Sequence, residues 1–441
     1  MAKTIALKSI GCRTNQEETA VLSFRLAQRG HRIVDNVDEA EIVIVNTCSV
    51  TSRTEAKTRR LLHNLTRGAP HCSVCVTGCL AQQKADELQG LYGTRWVVGN
   101  TRKNDIPSIV QDEKGGVFWD PCTQASAVFL PVEQMPDYFD PCKRARFSIK
   151  IQEGCDYRCA YCIVPSLRGK SRSARLSDVR LACERAVDAG FKEIVLAGTH
   201  IGHYGNGPDV NLVTLLKNLV AIPGDFRIRL SSLDPRDLCG PILEMIEGHP
   251  KVCRHVHVSV QSLSKEVLAR MGRGGTYFDT LVEKLGNVRK AFPDAGIGGD
   301  FIVGFPGESN GMFEETLANI EKIGFSYGHV FRYSKRPSTA AAMFDDQIGE
   351  KEKNTRGEIM RAVIDKCNKE FVSKLIGTSH RIIVESEAPV TGVSSNYVRM
   401  EVRSQSESGG AAAKRNSWLT ATITGVNPKN NRCIAAPGKC V

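Results

Sequence analysis

The stretch Glu153–Cys162, EGCDYRCAYC, places Cys155, Cys159 and Cys162 within eight positions. Thiolates are soft ligands that bind iron–sulfur clusters, zinc or copper. A structural zinc site needs a fourth protein ligand, but no neighbouring cysteine or histidine has the paired spacing of a zinc ribbon. A cubane held by three cysteines leaves one iron open to a small molecule. The spacing therefore favours a catalytic iron–sulfur cluster over a chance group of buried thiols.

This motif directly follows the first of six predicted strands that alternate with helical patterns. Barrels built from such units carry their chemistry at the C-terminal ends of the strands, which is where the motif lies. We therefore expect a partial (β/α) barrel over residues 144–376. The six predicted strands are Phe147–Gln152, Glu193–Ala197, Phe226–Ser231, His255–Val260, Gly298–Val303 and Tyr327–Arg332.

Residues 1–120 also alternate strands with helices, which predicts an α/β domain with a doubly wound parallel sheet. Residues 121–143 contain four prolines without periodicity and are predicted to be a linker. The predicted strands of the first domain are Lys3–Ile10, Glu41–Asn46, Ser73–Thr77 and Arg95–Val98. Its predicted helices are Asn15–Arg29, Ser52–Arg67 and Ala81–Gln89.

Residues 377–441 change to period-2 patterns at Arg381–Glu385, Asn396–Val402 and Leu419–Val426. These patterns predict a small all-β barrel of five strands, a shape that often holds RNA. The charge distribution agrees, because residues 1–143 carry 17 Lys+Arg against 16 Asp+Glu while the whole chain has a net charge of +11. The basic excess therefore lies in the last two thirds, where we expect a polyanion to bind.

The composition is that of a globular protein, with 41% hydrophobic residues and 16 cysteines. The sequence contains no run of eighteen apolar residues, so no membrane span is predicted. The first residues lack the long apolar segment of a secretory signal, and we therefore expect a cytoplasmic protein. In a reducing compartment, clustered cysteines indicate metal binding or catalysis. Cys183, Cys253 and Cys367 stand singly and are expected to be buried as small hydrophobic residues.

A second group of cysteines follows three predicted strands of the first domain, namely Cys12, Cys48 and Cys79. In a parallel sheet the carboxyl ends of the strands share one edge, where open α/β sheets bind ligands. A small residue precedes each of these cysteines, which lets a bulky group approach the backbone. The alternative is a local metal motif of Cys72, Cys75 and Cys79, but Cys75 is predicted to pack inside its strand.

The C-x3-C-x2-C spacing after a strand resembles the signature of the radical S-adenosylmethionine superfamily. The resemblance implies that Cys155, Cys159 and Cys162 hold a catalytic [4Fe-4S] cluster, whose open iron binds the amino and carboxylate groups of S-adenosyl-L-methionine. It places Tyr161 near the adenine of this cofactor. It also implies a contact from the turn at Gly198 and Thr199 to the methionine amino group.

Further motifs resemble the methylthiotransferases of this superfamily along nearly the whole chain, and the β-rich tail with Ser395–Val398 (SNYV) looks like their TRAM domain. Asn46–Thr51 (NTCSVT) and Val330–Ala340 (VFRYSKRPSTA) are most similar to the branch that acts on N6-threonylcarbamoyladenosine beside the tRNA anticodon. Gly298-Gly299-Asp300 departs from the Thr-Thr-Asp of the family. The matching segments are Ser9–Gln16 (SIGCRTNQ), Val45–Thr51 (VNTCSVT), Thr77–Gln82 (TGCLAQ), Ile151–Cys155 (IQEGC), Ile163–Gly169 (IVPSLRG), His257–Ser262 (HVSVQS) and Asp300–Glu308 (DFIVGFPGE).

This resemblance implies a tRNA methylthiotransferase with two [4Fe-4S] clusters, the second held by Cys12, Cys48 and Cys79. The first cluster would generate a radical that abstracts hydrogen from adenine C2, and the second would present sulfur. The implied partners are a tRNA anticodon loop and an electron donor such as flavodoxin or ferredoxin. Candidate cofactor or substrate contacts are Asp300, Arg168, Lys335 and Arg336. The alternatives are methylthiolation of isopentenyladenosine in tRNA, methylthiolation of a ribosomal-protein aspartate, and a non-catalytic RNA-binding protein with structural zinc or redox-sensing cysteines.

Overall fold

The computed structural model describes residues 2–112, 114–122, 128–130, 145–205, 207, 209–274, 277–403, 413–427 and 431–438, with the backbone alone at 277–280. The predicted linker, residues 121–143, lies mostly outside these ranges. Within them, no helix combines the length and the apolar character needed to cross a membrane.

The N-terminal part is a six-stranded parallel sheet in the order β2-β1-β3-β4-β5-β6. Buried clusters cover both of its faces, which confirms the predicted doubly wound sheet. Strands β2 and β6 were not predicted because each has only three residues at a sheet edge. The strands are β1 (Thr4–Ser9), β2 (Arg32–Val34), β3 (Ile42–Thr47), β4 (Ser73–Gly78), β5 (Thr94–Val98) and β6 (Gly116–Phe118).

The helices of this part are α1 (Arg13–Gln28), α2 (Ser52–Gly68), α3 (Cys79–Gln83), α4 (Ala85–Leu88) and α5 (Ile106–Ile109). The prediction of one helix over Ala81–Gln89 was wrong at its centre. Lys84 leaves the helical conformation, with φ −136° and ψ 46°, and separates α3 from α4.

The central part consists of two four-stranded sheets, ordered β10-β9-β7-β8 and β11-β12-β13-β14. One continuous core spans both sheets, so together they form the predicted partial barrel. The strand predicted over Phe226–Ser231 is confirmed by β10, which pairs with β9. A second short strand, β11, begins directly after the predicted range and pairs with β12, and it was not predicted. The strands are β7 (Phe147–Glu153), β8 (Arg172–Ser173), β9 (Glu193–Gly198), β10 (Arg227–Leu230), β11 (Ser232–Leu233), β12 (His255–Gln261), β13 (Gly296–Val303) and β14 (Tyr327–Arg332).

Eight helices of the described residues accompany this barrel. They are α6 (Val164–Arg168), α7 (Leu176–Asp188), α8 (Leu212–Val220), α9 (Gly240–Gly248), α10 (Lys265–Arg270), α11 (Tyr277–Ala291), α12 (Asn310–Ile323) and α13 (Glu350–Ser373).

The C-terminal part is a closed five-stranded barrel in the order β15-β16-β17-β19-β18, as predicted and consistent with a TRAM-like domain. The third strand begins later than the predicted Asn396, because Tyr397 adopts a left-handed conformation with φ +64°. The strands are β15 (Ser379–Glu387), β16 (Val390–Ser394), β17 (Arg399–Val402), β18 (Trp418–Val426) and β19 (Cys433–Pro437).

Buried arginines of β10 fix this small barrel to the central part. Arg229 pairs with Glu193 at 2.8 Å and donates to the carbonyl of Ser394 at 2.8 Å. Arg227 pairs with the same carboxylate at 2.6 Å and donates to the carbonyl of Val393 at 2.8 Å. Burial opposes ionisation of Glu193, but the arginines outweigh it and lower the pKa of this carboxyl.

Candidate active site

The loop that carries Cys155, Cys159 and Cys162 begins where β7 ends. Gly154 has a φ of +79°, and a Cβ there would collide with the carbonyl oxygen of Lys170, so only glycine fits this turn. Backbone hydrogen bonds from Cys155 N to Gly169 O (3.1 Å) and from Cys162 N to Cys159 O (3.0 Å) hold the loop. All three thiols are partly exposed, at the barrel end where the sequence predicted them.

The thiols of this loop are close enough to perturb one another. Burial, together with the charges of the neighbouring Cys159 and Cys155, raises the pKa of Cys162 to about 12. Thiols that resist ionisation alone ionise when they bind a cationic metal centre. The donor set therefore fits a soft, multiply charged group such as an iron–sulfur cluster.

Two residues beside this loop were not predicted from the sequence. Arg273 is 4% exposed, and its Nη1 lies 3.7 Å from Cys159 Sγ. His200 Nδ1 lies 3.7 Å from Cys155 Sγ, while its Nε2 lies 2.7 Å from Asp237 Oδ2. Burial would lower the pKa of His200, but the hydrogen bonds to Asp237 and Cys155 raise it to about 9. No local motif identifies either residue, because each reaches the cysteines from a distant segment.

The remaining predicted cofactor contacts lie around the same loop. Tyr161 lines a cavity of about 260 Å³ together with Cys162, and its hydroxyl lies 3.5 Å from Arg273 Nη1. Gly198 ends β9, and a Cβ there would lie 2.9 Å from the carbonyl oxygen of Gln152. Gly198 and the following Thr199 are half-buried. This close backbone approach explains a glycine at the end of β9.

The cysteines of the N-terminal part lie at one edge of the first sheet. Cys12 caps α1 after β1, Cys48 follows β3, and Cys79 opens α3 after β4. These strands are neighbours in the sheet, so the three thiols converge. Burial raises the pKa of Cys48 to about 12, with further contributions from Cys79 and Cys12. A Cβ at Gly11 would collide with Cys48, which accounts for the small residue before Cys12.

The local alternative of Cys72, Cys75 and Cys79 does not converge. Cys72 lies before β4, and its thiol donates to the carbonyl of Ala40 at 2.8 Å. Cys79 follows the other end of the same strand. The six residues of β4 span about 20 Å, so Cys72 and Cys79 are too far apart to share a metal. Cys75 is 0% exposed within the core. These positions favour the long-range group of Cys12, Cys48 and Cys79.

The two groups of cysteines open onto adjoining cavities. Cys12 and Cys48 line a cavity of about 650 Å³, and Cys162 lines the smaller one. Cys79 packs against Ile163, the residue after Cys162. A substrate in this space can therefore be reached from both groups. The residues that line both cavities are Val50, Thr51, Asp300 and Phe331.

A buried ion-pair network holds the two cysteine-bearing parts together. The Glu18 carboxylate accepts from Lys103 at 2.6 Å, Lys150 at 2.8 Å and Arg168 at 2.7 Å. Glu153, two residues before Cys155, accepts from Lys150 at 2.8 Å and Arg168 at 2.6 Å. Burial raises the pKa of Glu18, but these cations outweigh it and lower that pKa well below its usual value. The network therefore fixes the position of the N-terminal part, with Cys12, Cys48 and Cys79, relative to the central part, with Cys155, Cys159 and Cys162.

The predicted contact residues Arg168 and Arg336 serve this interface. Arg168 also donates to Asn15 Oδ1 at 2.6 Å, within three residues of Cys12. Arg336 donates to the carbonyl of Ser49, beside Cys48, at 3.1 Å and pairs with Glu55 at 3.0 Å. Both arginines are buried by protein contacts, so they position the cysteine loops.

Lys335, another predicted contact, lies in a basic groove of about 400 Å³ next to the two cavities. The cationic residues that line this groove are Arg53, Arg332, Lys335, Lys353 and Arg361.

Asp300 lies on a histidine-rich wall of the larger cavity. Its Oδ1 lies 3.2 Å from His257 Nε2 and 3.0 Å from His329 Nδ1. The Tyr327 hydroxyl lies 2.9 Å from His257 Nδ1. Burial would raise the pKa of Asp300, but both histidines donate to it and lower the pKa to about 2.

The residues of this wall explain why position 298 is a glycine where a threonine was expected. A Cβ at Gly298 would collide with the Tyr327 ring and lie 2.6 Å from His257 Nδ1. Glycine therefore gives Tyr327 the space beside β13. The sequence offered a signal for the wall, since His255 and His257 alternate on β12 and His329 lies on β14, on the other side of β13 in the same sheet.

Two family models match the chain, the uncharacterized protein family UPF0004 over residues 4–99 and the radical SAM superfamily over residues 149–320. The threonylcarbamoyladenosine tRNA methylthiotransferase MtaB of Bacillus subtilis is 34% identical over 409 residues, which cover 90% of each chain. The same enzyme of Aquifex aeolicus is 33% identical and covers 92% of this chain and 98% of its own. The tRNA-2-methylthio-N(6)-dimethylallyladenosine synthase of Geotalea uraniireducens is 32% identical, with 88% of both chains covered.

Among solved structures, the radical S-adenosylmethionine methyltransferase TsrM of Kitasatospora setae, with cobalamin and a [4Fe-4S] cluster bound, has a similar fold. The TM-score is 0.56 at 15% identity, and the match covers 78% of this chain and 77% of that one. At this identity the likeness concerns the fold alone.

Proposed function

Since this chain belongs to the radical S-adenosylmethionine methylthiotransferase family, as its 34% identity over 90% of a curated relative shows, we propose that it methylthiolates C2 of N6-threonylcarbamoyladenosine beside the anticodon of tRNA. The chain is therefore an enzyme, and the alternative of a non-catalytic RNA-binding protein is wrong. The relatives whose names include threonylcarbamoyladenosine favour this substrate over an aspartate of a ribosomal protein.

The observation that carries the proposal is the pair of cysteine groups on adjoining cavities with shared walls. We propose that Cys155, Cys159 and Cys162 hold one [4Fe-4S] cluster with S-adenosyl-L-methionine, and that Cys12, Cys48 and Cys79 hold a second. When bound, the first supplies a 5′-deoxyadenosyl radical and the second supplies sulfur. In this assignment residues 1–120 carry the auxiliary cluster, 144–376 carry the radical chemistry, and 377–441 bind RNA.

The other residues of the site would bind and orient the two reactants. Tyr161, Gly198 and Thr199 would contact S-adenosyl-L-methionine beside the first cluster. Val50 and Phe331 are each 43% exposed, although they are apolar, and they line both cavities. Such exposed apolar faces can stack on a base that has left its helix, as single-stranded RNA readers do.

The basic groove at Lys335 and the C-terminal barrel would hold the anticodon stem and loop. Cationic side chains in a groove attract phosphates, and small barrels commonly bind RNA. We further propose an electron donor of the flavodoxin or ferredoxin type. The same groove residues would act for either adenosine derivative, so substrate choice must come from the cavity itself.

Mass spectrometry of tRNA nucleosides from a deletion strain tests this function. The methylthio form of threonylcarbamoyladenosine should disappear in the deletion and return with the wild-type gene, but not with Cys159→Ala. If dimethylallyladenosine loses its methylthio group instead, the enzyme belongs functionally with the other named relatives. Unchanged nucleosides of both kinds would refute a tRNA substrate.

A further inference from the structure

Among the described residues, the larger cavity is lined by an arginine that has no carboxylate partner. Arg13 opens α1 directly after Cys12 and lines this cavity. Among the described residues, no carboxylate pairs with its guanidinium. Its charge nevertheless acts across the cavity, because it contributes to the lowered pKa of Tyr397, against the effect of burial. An unpaired arginine beside a cavity indicates that an anionic group of a ligand completes the site.

The other arginine of this cavity is already neutralised. Arg229 is paired with Glu193 through Nε at 2.8 Å and Nη2 at 2.9 Å, and it also donates to the carbonyl of Ser395 at 3.0 Å. The Asp300 carboxylate on the cavity wall accepts hydrogen bonds from His257 and His329. Among the described residues that line this cavity, Arg13 is therefore the arginine without a carboxylate partner.

The cavity lining offers both apolar and polar groups. Val50 and Phe331 are apolar and partly exposed, so a base can stack on them. Arg13 is a donor without a carboxylate partner among the described residues, and His329 is exposed. A base that bears an uncharged alkyl substituent leaves Arg13 without a counter-ion, whereas a substituent with a carboxylate supplies one.

We propose that Arg13 binds the carboxylate of the threonylcarbamoyl group and thereby determines which modified adenosine the enzyme accepts. This inference rests on the proposed function and assigns the selectivity to one residue. Asp300 on β13 and His329 on the adjacent β14 accept or donate the remaining hydrogen bonds of the substituent. Because a site built to hydrogen-bond a polar group rejects an analogue without it, Arg13 discriminates against dimethylallyladenosine.

A competing role for Arg13 is to compensate negative charge at the adjacent Cys12. Burial would lower the pKa of Arg168, but Glu18, Cys79, Glu153 and Cys12 together raise it well above its usual value, so Arg168 already interacts with these two cysteines. The two roles predict different losses. If Arg13 serves the cysteines, its removal lowers bound iron and affects every substrate equally. If it binds the carboxylate, iron is retained and the loss is confined to substrates with that charge.

The test uses the reconstituted full-length enzyme and two anticodon stem-loop RNAs. One RNA bears N6-threonylcarbamoyladenosine and the other bears its methyl ester, which removes the negative charge and little else. Methylthiolation of each is measured as kcat/KM by mass spectrometry for wild type, Arg13→Gln and Arg13→Lys. Arg29→Gln is the matched control, because Arg29 ends the same helix roughly 24 Å from Arg13. Iron is measured in every preparation.

Wild type should prefer the acid over the ester by roughly tenfold to a hundredfold, the usual effect of one charge-assisted hydrogen-bonded pair. Arg13→Gln should abolish this preference with unchanged iron, Arg13→Lys should keep part of it, and Arg29→Gln should keep all of it. Equal rates of wild type on the two RNAs, a preference that survives in Arg13→Gln, or loss of iron in that variant would each overturn the inference. Inactivity of the wild type on both RNAs would instead refute the proposed function.

Discussion

Replacing Glu18 by glutamine tests the buried network that joins the two halves of the site. The Glu18 side chain is 1% exposed, and its three cationic partners lie within 2.8 Å. Lys150 and Arg168 keep Glu153 as a second carboxylate, at 2.8 and 2.6 Å. Among the described residues, Lys103 then has neutral acceptors alone, the Asn46 amide oxygen at 3.3 Å and the amide oxygen that Glu18→Gln introduces, so it becomes a buried charge without an anion. Breaking such a pair costs about 3–5 kcal/mol.

The assay is denaturant unfolding of Glu18→Gln beside the control Glu39→Gln. Glu39 pairs with Arg32 at 3.4 Å, but both side chains are more than half exposed, so that loss is about 0–1 kcal/mol. Because folding lowers the pKa of Glu18, its contribution is complete above the unfolded value of about 4.3. It is lost as the pH falls through the folded pKa, so the difference between wild type and Glu18→Gln should shrink in acid. Equal destabilisation by the two substitutions at neutral pH would refute the role of the network.

Three further substitutions test individual elements. Gly154→Ala should lower the unfolding free energy more than Gly190→Ala does, and it should also lower bound iron. Both glycines have positive φ, but of the two Gly154 alone faces a backbone oxygen. Equal losses in unfolding free energy would contradict this. Arg229→Met should lower the unfolding free energy by about 3–5 kcal/mol and speed hydrogen exchange in the C-terminal barrel, since Arg229 joins Glu193 to the barrel carbonyls; unchanged exchange would argue against this docking. Cys75→Ala should destabilise by about 1 kcal/mol and keep all of its iron, because that thiol packs in the core; a loss of iron would revive the local motif.

The strand ends allowed both cysteine groups to be placed from the sequence, because Cys12, Cys48, Cys79 and Cys155 each come after a strand and Cys159 and Cys162 lie in the loop that Cys155 begins. That the two groups hold clusters stays a prediction. The carboxyl ends of parallel strands share an edge, so topology converts the distant Cys12, Cys48 and Cys79 into neighbours. The periodic patterns likewise predicted the doubly wound sheet, the partial barrel and the closed β-barrel. The errors concern short or interrupted elements, such as β2, β6, β11 and the break at Lys84 between α3 and α4, where too few residues remain to set a period.

The sequence could not predict the side-chain contacts made across domains. Glu18 and Arg168 are separated by 150 positions, and neither lies in a charge pattern that indicates a buried pair. Arg273 and His200 reach the radical-cluster loop from separate segments, so their roles depend on tertiary packing. Arg13 stands beside a recognised motif, but its lack of a partner is visible only when the whole cavity is assembled.

Anaerobic iron analysis of wild type, Cys159→Ala and Cys48→Ala tests most directly whether the two cysteine groups hold two separate clusters. Wild type should contain about eight irons per chain, as two cubanes require, and each variant should retain about four. Cleavage of S-adenosyl-L-methionine should be abolished in Cys159→Ala and retained in Cys48→Ala. Zinc in place of iron, or loss of all iron from either variant, would contradict two independent clusters.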